Sequence, residues 1–486
     1  MLKKKILFFI IIIDLIFFGK LINLEFATDT YYVFNFNNKQ IFWQYASAGR
    51  FVTAIIGYII KIINLKEYAI YLGSYILAIV CLILSQYKLY KITNMLVLEK
   101  NRDDSYSKIL VDLVSIIIIL NPFLIELFLF VEKGIMIFAI LMCIYAIEKF
   151  IKYLEYKDVK YLIYSMIFIF IGVCSYQGVV GIFIAISAIC VLKYSKNIKE
   201  FIVNNIIMFL VYGIPTGINY LIVKFGYSNT RIDGNIQITE SIVKILKNTK
   251  EMMVSTYNIM PKYSVFLLIL FTFGILCYKI IKNKKEARKI LEFIYIILIT
   301  IFISILPQIF QATESIWFVP RSTYPFGTIY GILILYLICN IDLKKVTKML
   351  LIIIILIFLC FELQIFWKIE NDRYILNKYD YEISMKIVDK INKYEKETGN
   401  KISKIKICQD LNPSYTYDNI FATKDLNIKA YATDWSTKGI LEYYLKRNLE
   451  QIKSEENIEK FQNKNWNEFN EEQIILKNDV LILCRY

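Results

Sequence analysis

Apolar runs alternate with short polar segments from residue 5 to residue 367. Crossing the hydrocarbon takes roughly 17–25 apolar residues, and the pattern predicts about eleven spans. They fall at 5–22, 68–87, 108–121, 134–149, 161–175, 178–194, 200–223, 263–281, 290–310, 325–341 and 347–367. The stretch 51–64, opening FVTAIIGYIIKII, is apolar but brief and ends among Lys61 and Lys66. It reads as a juxtamembrane helix in the outer interface. On that reading the segments 1–5, 88–108, 149–160, 193–199, 279–289 and 342–348 share one side and hold most of the lysines. The positive-inside rule then puts the N-terminus in the cytoplasm and the C-terminus outside.

The pattern changes after residue 367. RYILNKYDYEISMKIVDKINKYEKETG has helical periodicity, KISKIKIC and NDVLILC read as strands, and TKGILEYYLKRNLEQIKSEENIEKF reads as a helix between them. Residues 368–486 are long enough to enclose a core, and a small extracytoplasmic α/β domain is expected there. The expected fold is a polytopic α-helical membrane domain over 1–367, with juxtamembrane helices in its first outer loop, followed by that domain. The loop 224–262 is the other long outer piece. No internal repeat and no glycine-rich phosphate loop is visible.

Composition agrees. The chain is 57% hydrophobic, with mean hydropathy +0.49, too apolar for a set of soluble domains. The formal charge is +15, but the lysines sit in clusters between apolar runs, which is membrane topology and not nucleic-acid binding. The Ile/Lys/Asn bias fits an AT-rich bacterial genome, and the expected location is a bacterial inner membrane. The first span lacks a clean small-residue cleavage site and is read as a retained helix. With no histidine, acid–base chemistry falls to Asp, Glu, Lys or Tyr. Most cysteines lie inside apolar runs. Only Cys408 and Cys484 fall in the polar tail, and a disulfide between them is left open. With 17 Gly and 7 Pro, there is little sign of the unwound helix pairs of ion-coupled transporters.

Candidate chemistry lies in the outer loops. Asp29 follows the first span. Glu126, Glu132 and Lys133 lie in NPFLIELFLFVEKG, Tyr176 and Gln177 at the bend CSYQGVVG, and Trp317, Arg321 and Tyr324 in ESIWFVPRSTYP. Eight of the 57 basic residues are arginine, and on the outer side of the membrane part they occur only at Arg50, Arg231 and Arg321. A guanidinium grips phosphate or carboxylate through paired hydrogen bonds. The bland alternatives are interface anchors, ion pairs with Glu25, Asp29 or Glu314, and a helix N-cap for Asp29. The aromatics at 31–45 read as an interfacial belt that would also stack on sugar rings. Together, an outer acid, outer arginines and an aromatic loop beside lipid suit a polyprenyl-phosphate-linked sugar as donor. A carboxylate would take the acceptor's proton during direct displacement, and cations would hold the departing phosphate. No residue pattern requires a metal, and a divalent cation held by two acids is left open.

These residues carry a resemblance. The acid after span one, YASAGR with Gly49 and Arg50, and the helix that follows are similar to the opening of GT-C class membrane glycosyltransferases. They resemble especially the Gtr-type serotype-converting glucosyltransferases of bacteria and phages. NPFLIELFLFVEKGIMIFAI resembles the family's stretch leading to an acid, with Glu132 in that place, and CSYQGVVG resembles its Tyr-Gln bend. The tail FQNKNWNEFNEEQIILKNDVLILCRY is also similar. Two departures stand out: Asp29 is flanked by Thr28 and Thr30 where the family often has paired acids, and Glu132-Lys133 replaces an Asp followed by a small polar residue. The resemblance implies an undecaprenyl-phosphate-linked sugar, usually glucose, passed to a surface glycan outside the cytoplasm, such as an O-antigen or teichoic acid.

The reading is an inverting membrane glycosyltransferase. Asp29 is the base, Glu132 helps in acceptor or metal binding, and Arg321, Arg50 and Arg231 hold the donor phosphate. Tyr31, Tyr45, Tyr176, Gln177, Trp317 and Tyr324 contact sugar or acceptor. The alternatives are a lipid-linked oligosaccharide flippase or a polysaccharide exporter, polymerase or ligase. A flippase should line its path with charge, whereas the middles of these spans carry little.

Overall fold

The computed structural model describes every residue except 1, 99–103, 229–233, 283–287, 453–460, 462–463, 467 and 486. Contacts divide the chain into two compact units that are discontinuous in sequence. The first comprises Met1–Ile22, Ile41–Phe128 and Glu132–Phe366; the second comprises Asn23–Gln40, Leu129–Val131 and Trp367–Tyr486.

Numbered along the chain, the helices are α1 (Leu2–Phe18), α2 (Thr28–Asn35), α3 (Asn38–Ser47), α4 (Phe51–Ile63), α5 (Glu67–Leu98), α6 (Ser105–Ile119), α7 (Leu124–Phe128), α8 (Lys133–Tyr156) and α9 (Val159–Ser175). They continue as α10 (Ile182–Tyr194), α11 (Ile198–Gly226), α12 (Ile238–Ser255), α13 (Ser264–Lys282), α14 (Arg288–Ile309), α15 (Tyr324–Gly327), α16 (Ile329–Asn340), α17 (Lys345–Thr398) and α18 (Asp434–Leu445).

The chain is a helical membrane protein. Among the described residues, six helical segments are long and apolar enough to cross a bilayer: Glu67–Val97, Lys133–Tyr156, Gln177–Tyr194, Ile198–Gly226, Arg288–Ile309 and Lys345–Thr398. Four more apolar helices are shorter: Phe51–Ile63, Val159–Ser175, Ser264–Lys279 and Ile329–Asn340. The span expected at 325–341 is broken into α15 and α16. That expected at 347–367 runs on without interruption to Thr398, because no glycine or proline lies between 345 and 398 to stop it.

Within the first unit, side-chain pattern sets position. Helix α8 is apolar around its first four turns, and nearly all of those residues are buried, as an all-round apolar surface demands. It lies beside α5, α9 and α10. Helix α11 instead exposes Ile202, Ile206, Leu210, Ile214, Ile218 and Leu221, an outward stripe at helical spacing suited to lipid. Helix α4 buries Thr53, Ala54 and Gly57 and exposes Ile55, Ile59 and Ile62. It ends where Asn64 turns left-handed and its N–H donates to the carbonyls of Ile60 and Lys61.

Charge inside the apolar helices is sparse. Asp14 accepts from Gln86 Nε2 at 2.9 Å with both side chains buried. Lys88 pairs with Glu148 at 2.5 Å, and Glu362 is fully buried on α17. Several lysine-bearing segments expected on one side contact one another. Lys193 donates to the Leu96 carbonyl at 2.7 Å, and Lys348 to Asp104 Oδ2 at 2.5 Å.

The second unit holds a four-stranded sheet ordered β2-β1-β4-β3, with β1 at Lys404–Gln409, β2 at Glu450–Gln451, β3 at Ile474–Lys477 and β4 at Val480–Arg485. β1 runs parallel to β2 and β4, and β3 antiparallel to β4. The period-2 alternation of the strands divides two layers. Ile405, Leu481, Leu483 and Ile474 face Ile383, Ile387 and Ile391 of α17 and Ile440 and Leu441 of α18. Cys408 and Cys484 lie with Phe461 in a second cluster. They are register partners across β1 and β4, with no disulfide between them.

Lys429 is also buried here. Burial pulls its amine down to about 8, against the opposing pull of Asp380 and Asp410. A folded value below the unfolded one means that stability is gained as pH rises from the folded value toward the unfolded one. Relative to Lys429→Met, the wild-type protein should gain about 3 kcal/mol between pH 8 and pH 10.5. Thermal unfolding followed across that range tests this; parallel curves for the two proteins refute it.

Candidate functional site

Five segments of the first unit meet around one phenol. Tyr176 caps α9 in extended conformation and is buried. Burial raises its phenol above the ordinary value, Arg321 and Arg50 oppose that, and Glu126 and Glu132 reinforce it. All four charged groups therefore lie within electrostatic reach of one ring.

Arg50 is held by its neighbours. Its guanidinium carbon lies 4.6 Å from the centre of the Tyr176 ring and its Nη1 4.0 Å from Glu132 Oε1. The preceding residue, Gly49, has φ +74°, a conformation that favours glycine. Asn219 Nδ2 donates to the Gly49 carbonyl and Gln177 Nε2 to the Ala48 carbonyl, each at 2.8 Å. A Cβ at Gly49 would lie 2.6 Å from Asn219 Oδ1. The Gly-Arg pair is thus a clamped turn that aims a guanidinium.

Arg321 meets Glu126 twice. Its backbone N–H donates to Oε2 at 2.6 Å and its Nη1 to Oε1 at 2.5 Å. Glu126 is fully buried on the short helix α7, while the Arg321 side chain keeps 17% exposure. Charge-assisted, two-point contacts of this kind fix orientation as well as charge. Lys133 is buried too, with Nζ 3.8 Å from the centre of the Tyr71 ring.

Gly178 sets the approach of the two loops. A Cβ there would lie 2.4 Å from the Arg321 carbonyl oxygen and 3.2 Å from the Ser322 Cα, both backbone atoms. Gly178→Ala should therefore push the Arg321 segment away, costing about 1–3 kcal/mol and most of the activity. Thermal unfolding together with turnover measures both, and a variant unchanged in either refutes the contact.

A strained turn adjoins the site. Thr256, Tyr257 and Asn258 have φ of 47°, 55° and 62°, left-handed values that cost non-glycine residues about 1–2 kcal/mol each. Tyr257 is buried with its hydroxyl 3.3 Å from Thr323 Oγ1, and Glu126 acts on it electrostatically.

The sequence-derived residues divide as follows. Arg50, Glu132, Tyr176, Gln177 and Arg321 come together, and Glu126 joins them as the partner of Arg321. Tyr324 is buried with its hydroxyl donating to the Ile119 carbonyl at 2.7 Å, and Tyr45 is buried with its carbonyl accepting from the Arg50 N–H at 2.9 Å. Both are scaffold. Trp317 is 52% exposed. Arg231 lies outside the described residues. Asp29 and Tyr31 belong to the second unit. Asp29 occupies the first turn of α2, whose N-cap is Ala27, so it is not the cap. Thr30 takes a capping role by accepting from the Ala27 N–H at 3.1 Å. Tyr31 is 1% exposed and stacks on Phe26 at 4.5 Å. Among the described residues no group of three or more His, Cys, Asp or Glu is placed to hold a metal.

Two guanidiniums at one buried phenol are the kind of donor set that suits an anion such as a phosphate, and here Glu126 and Glu132 balance their charge. No curated protein matches the chain. The family model of glucosyl transferase GtrII matches residues 20–338, which include every member of this cluster. The chain therefore belongs to the GtrII glucosyl transferase family.

Proposed function

We propose that the protein transfers glucose from a polyprenyl phosphate to a cell-surface glycan on the extracytoplasmic face of a bacterial inner membrane. The observation that carries this reading is the pair of arginines, Arg50 and Arg321, fixed around Tyr176 in a glucosyl transferase of membrane type. A phosphate leaving group needs cations, not a strong general acid.

In the proposed reaction, the Asp29 carboxylate removes the proton of an acceptor hydroxyl as its oxygen attacks the anomeric carbon of glucose. The bond between that carbon and the phosphate oxygen breaks with its electron pair. Polyprenyl phosphate leaves to Arg321 and Arg50, and the configuration at the anomeric carbon inverts. Glu132 holds Arg50 in place and Gln177 holds the turn before it, so both act by positioning. Arg231 remains a third candidate for the phosphate.

The topology proposed with it has about eleven crossings, a cytoplasmic N-terminus and an extracytoplasmic tail domain after residue 367. Two observations support it. The lysine segments of the expected inner side contact one another, and the arginine cluster is built only from segments expected on the outer side. The test is purified protein supplied with polyprenyl-phosphate glucose and a glycan acceptor. Release of polyprenyl phosphate matched by glucosylated glycan is expected. Movement of the lipid-linked sugar across vesicles without glucosyl transfer would instead identify a flippase.

A further inference from the structure

We infer that the face of α2 bearing Asp29, together with the first turn of α18, is a platform for the acceptor's carbohydrate chain. This rests on the glycan-acceptor reading above and lies wholly within the second unit. Asp29 and Tyr32 fall three residues apart, and so on one side of α2, and Phe36 is the extended residue that ends the helix. Tyr32 lies edge-on to Phe36, with ring centres 4.3 Å apart, and edge-on to Trp435, 6.3 Å away. Trp435 is 40% exposed, and Tyr32 and Phe36 are half-buried.

The chemistry around these rings identifies the occupant. A hexose presents apolar C–H faces and a rim of hydroxyls, so its complement is an aromatic surface bordered by fixed polar groups. Here the border is present. Asp434, beside Trp435, pairs with Arg485 at 3.1 Å, and Arg485 Nη2 donates to Gln409 Oε1 at 2.9 Å. Asn35 Nδ2 donates to the Gly439 carbonyl at 2.8 Å and ties α2 to α18. The rigid body beneath is the aromatic core of Phe26, Tyr31, Tyr443 and Tyr444. A lipid or an apolar helix would leave the Asp434–Arg485–Gln409 network covered without new hydrogen bonds, whereas sugar hydroxyls would join it. The platform begins one turn from Asp29, where an acceptor hydroxyl would have to be presented.

The test uses the full chain in nanodiscs and a panel of linear hexose and N-acetylhexosamine oligosaccharides of four to eight units. Retention of one or more by the wild-type protein is expected, with Trp435→Ala and Tyr32→Ala weakening it about tenfold and Trp435→Phe largely restoring it. Melting curves of the three variants separate lost affinity from lost folding, and affinity lost at an unchanged melting temperature is expected. Absence of any retained oligosaccharide, or retention indifferent to all three variants, overturns the platform. Release of polyprenyl phosphate by the wild type is measured in parallel. If glucose is transferred but retention ignores Trp435, the platform alone falls. If retention depends on Trp435 but no glucose leaves the lipid, the transferase reading falls.

Discussion

Asp29→Asn should lower glucosyl transfer by about 10²–10⁴ while leaving thermal unfolding of the protein within about 0.5 kcal/mol of wild type. The two expectations come from separate facts. Asparagine has the shape of aspartate, and Asp29 lies in a half-exposed first turn where it is not the cap, so the packing of that turn is kept. The proposed reaction does depend on it, because an amide cannot accept the acceptor's proton at neutral pH. Affinity for the donor should not change, since its phosphate is assigned to arginines. The measurement is initial-rate release of polyprenyl phosphate at saturating donor, beside the melting curve of the same preparation. Wild-type turnover in the asparagine variant removes Asp29 from the chemistry. A collapse in melting temperature would make it structural. Glu132→Gln should behave differently. Glu132 stands 4.0 Å from Arg50, so its loss should weaken donor binding more than it slows the bound complex.

Part of this site was legible because its signals are local. A guanidinium in a lysine-rich chain is a conspicuous choice, and Gly49-Arg50 and Tyr176-Gln177 are short motifs that the structure brings together through hydrogen bonds from Gln177 and Asn219. What was hidden depends on tertiary contact. Nothing near Arg321 in sequence points to Glu126 as its partner, since Glu314 is the acid close to it in sequence and Glu126 sits in an apolar run 195 residues away. The turn at 256–258 escaped notice because none of its residues is glycine. Tyr31, Tyr45 and Tyr324 were conspicuous as aromatics, and that all three are buried is something the residue type alone does not carry. In the fold, period and length predicted a helix at each apolar run. They did not foresee that α17 continues past residue 367, because an amphipathic stretch joined to an apolar one changes its environment without any helix-stopping residue between. The inclusion of 23–40 in the second unit was equally invisible. It follows from α2 packing on α18, across some four hundred residues of sequence.

Arg321→Met should be the most damaging single change in the cluster, and a compensating variant can separate its two causes. Glu126 is fully buried, and its Oε1 accepts from the Arg321 side chain while its Oε2 accepts from the Arg321 backbone. Removing the guanidinium leaves a buried carboxylate with only part of its stabilisation, which costs about 3–5 kcal/mol. Transfer should fall at the same time, because the departing phosphate loses a cation that matters most as negative charge develops on it. Arg321→Lys should recover stability better than activity, since a point charge can pair with Glu126 but cannot offer the planar fork. The double change Arg321→Met with Glu126→Gln removes both charges, and replacing a buried pair by neutral groups is often close to neutral for stability. Its melting temperature should therefore return toward wild type while its rate stays as low as that of Arg321→Met. If the double variant regains transfer along with stability, the arginine serves only to neutralise Glu126 and the phosphate must be held elsewhere. If it regains stability alone, the guanidinium acts on the substrate, and the carboxylate beneath it is there to aim it.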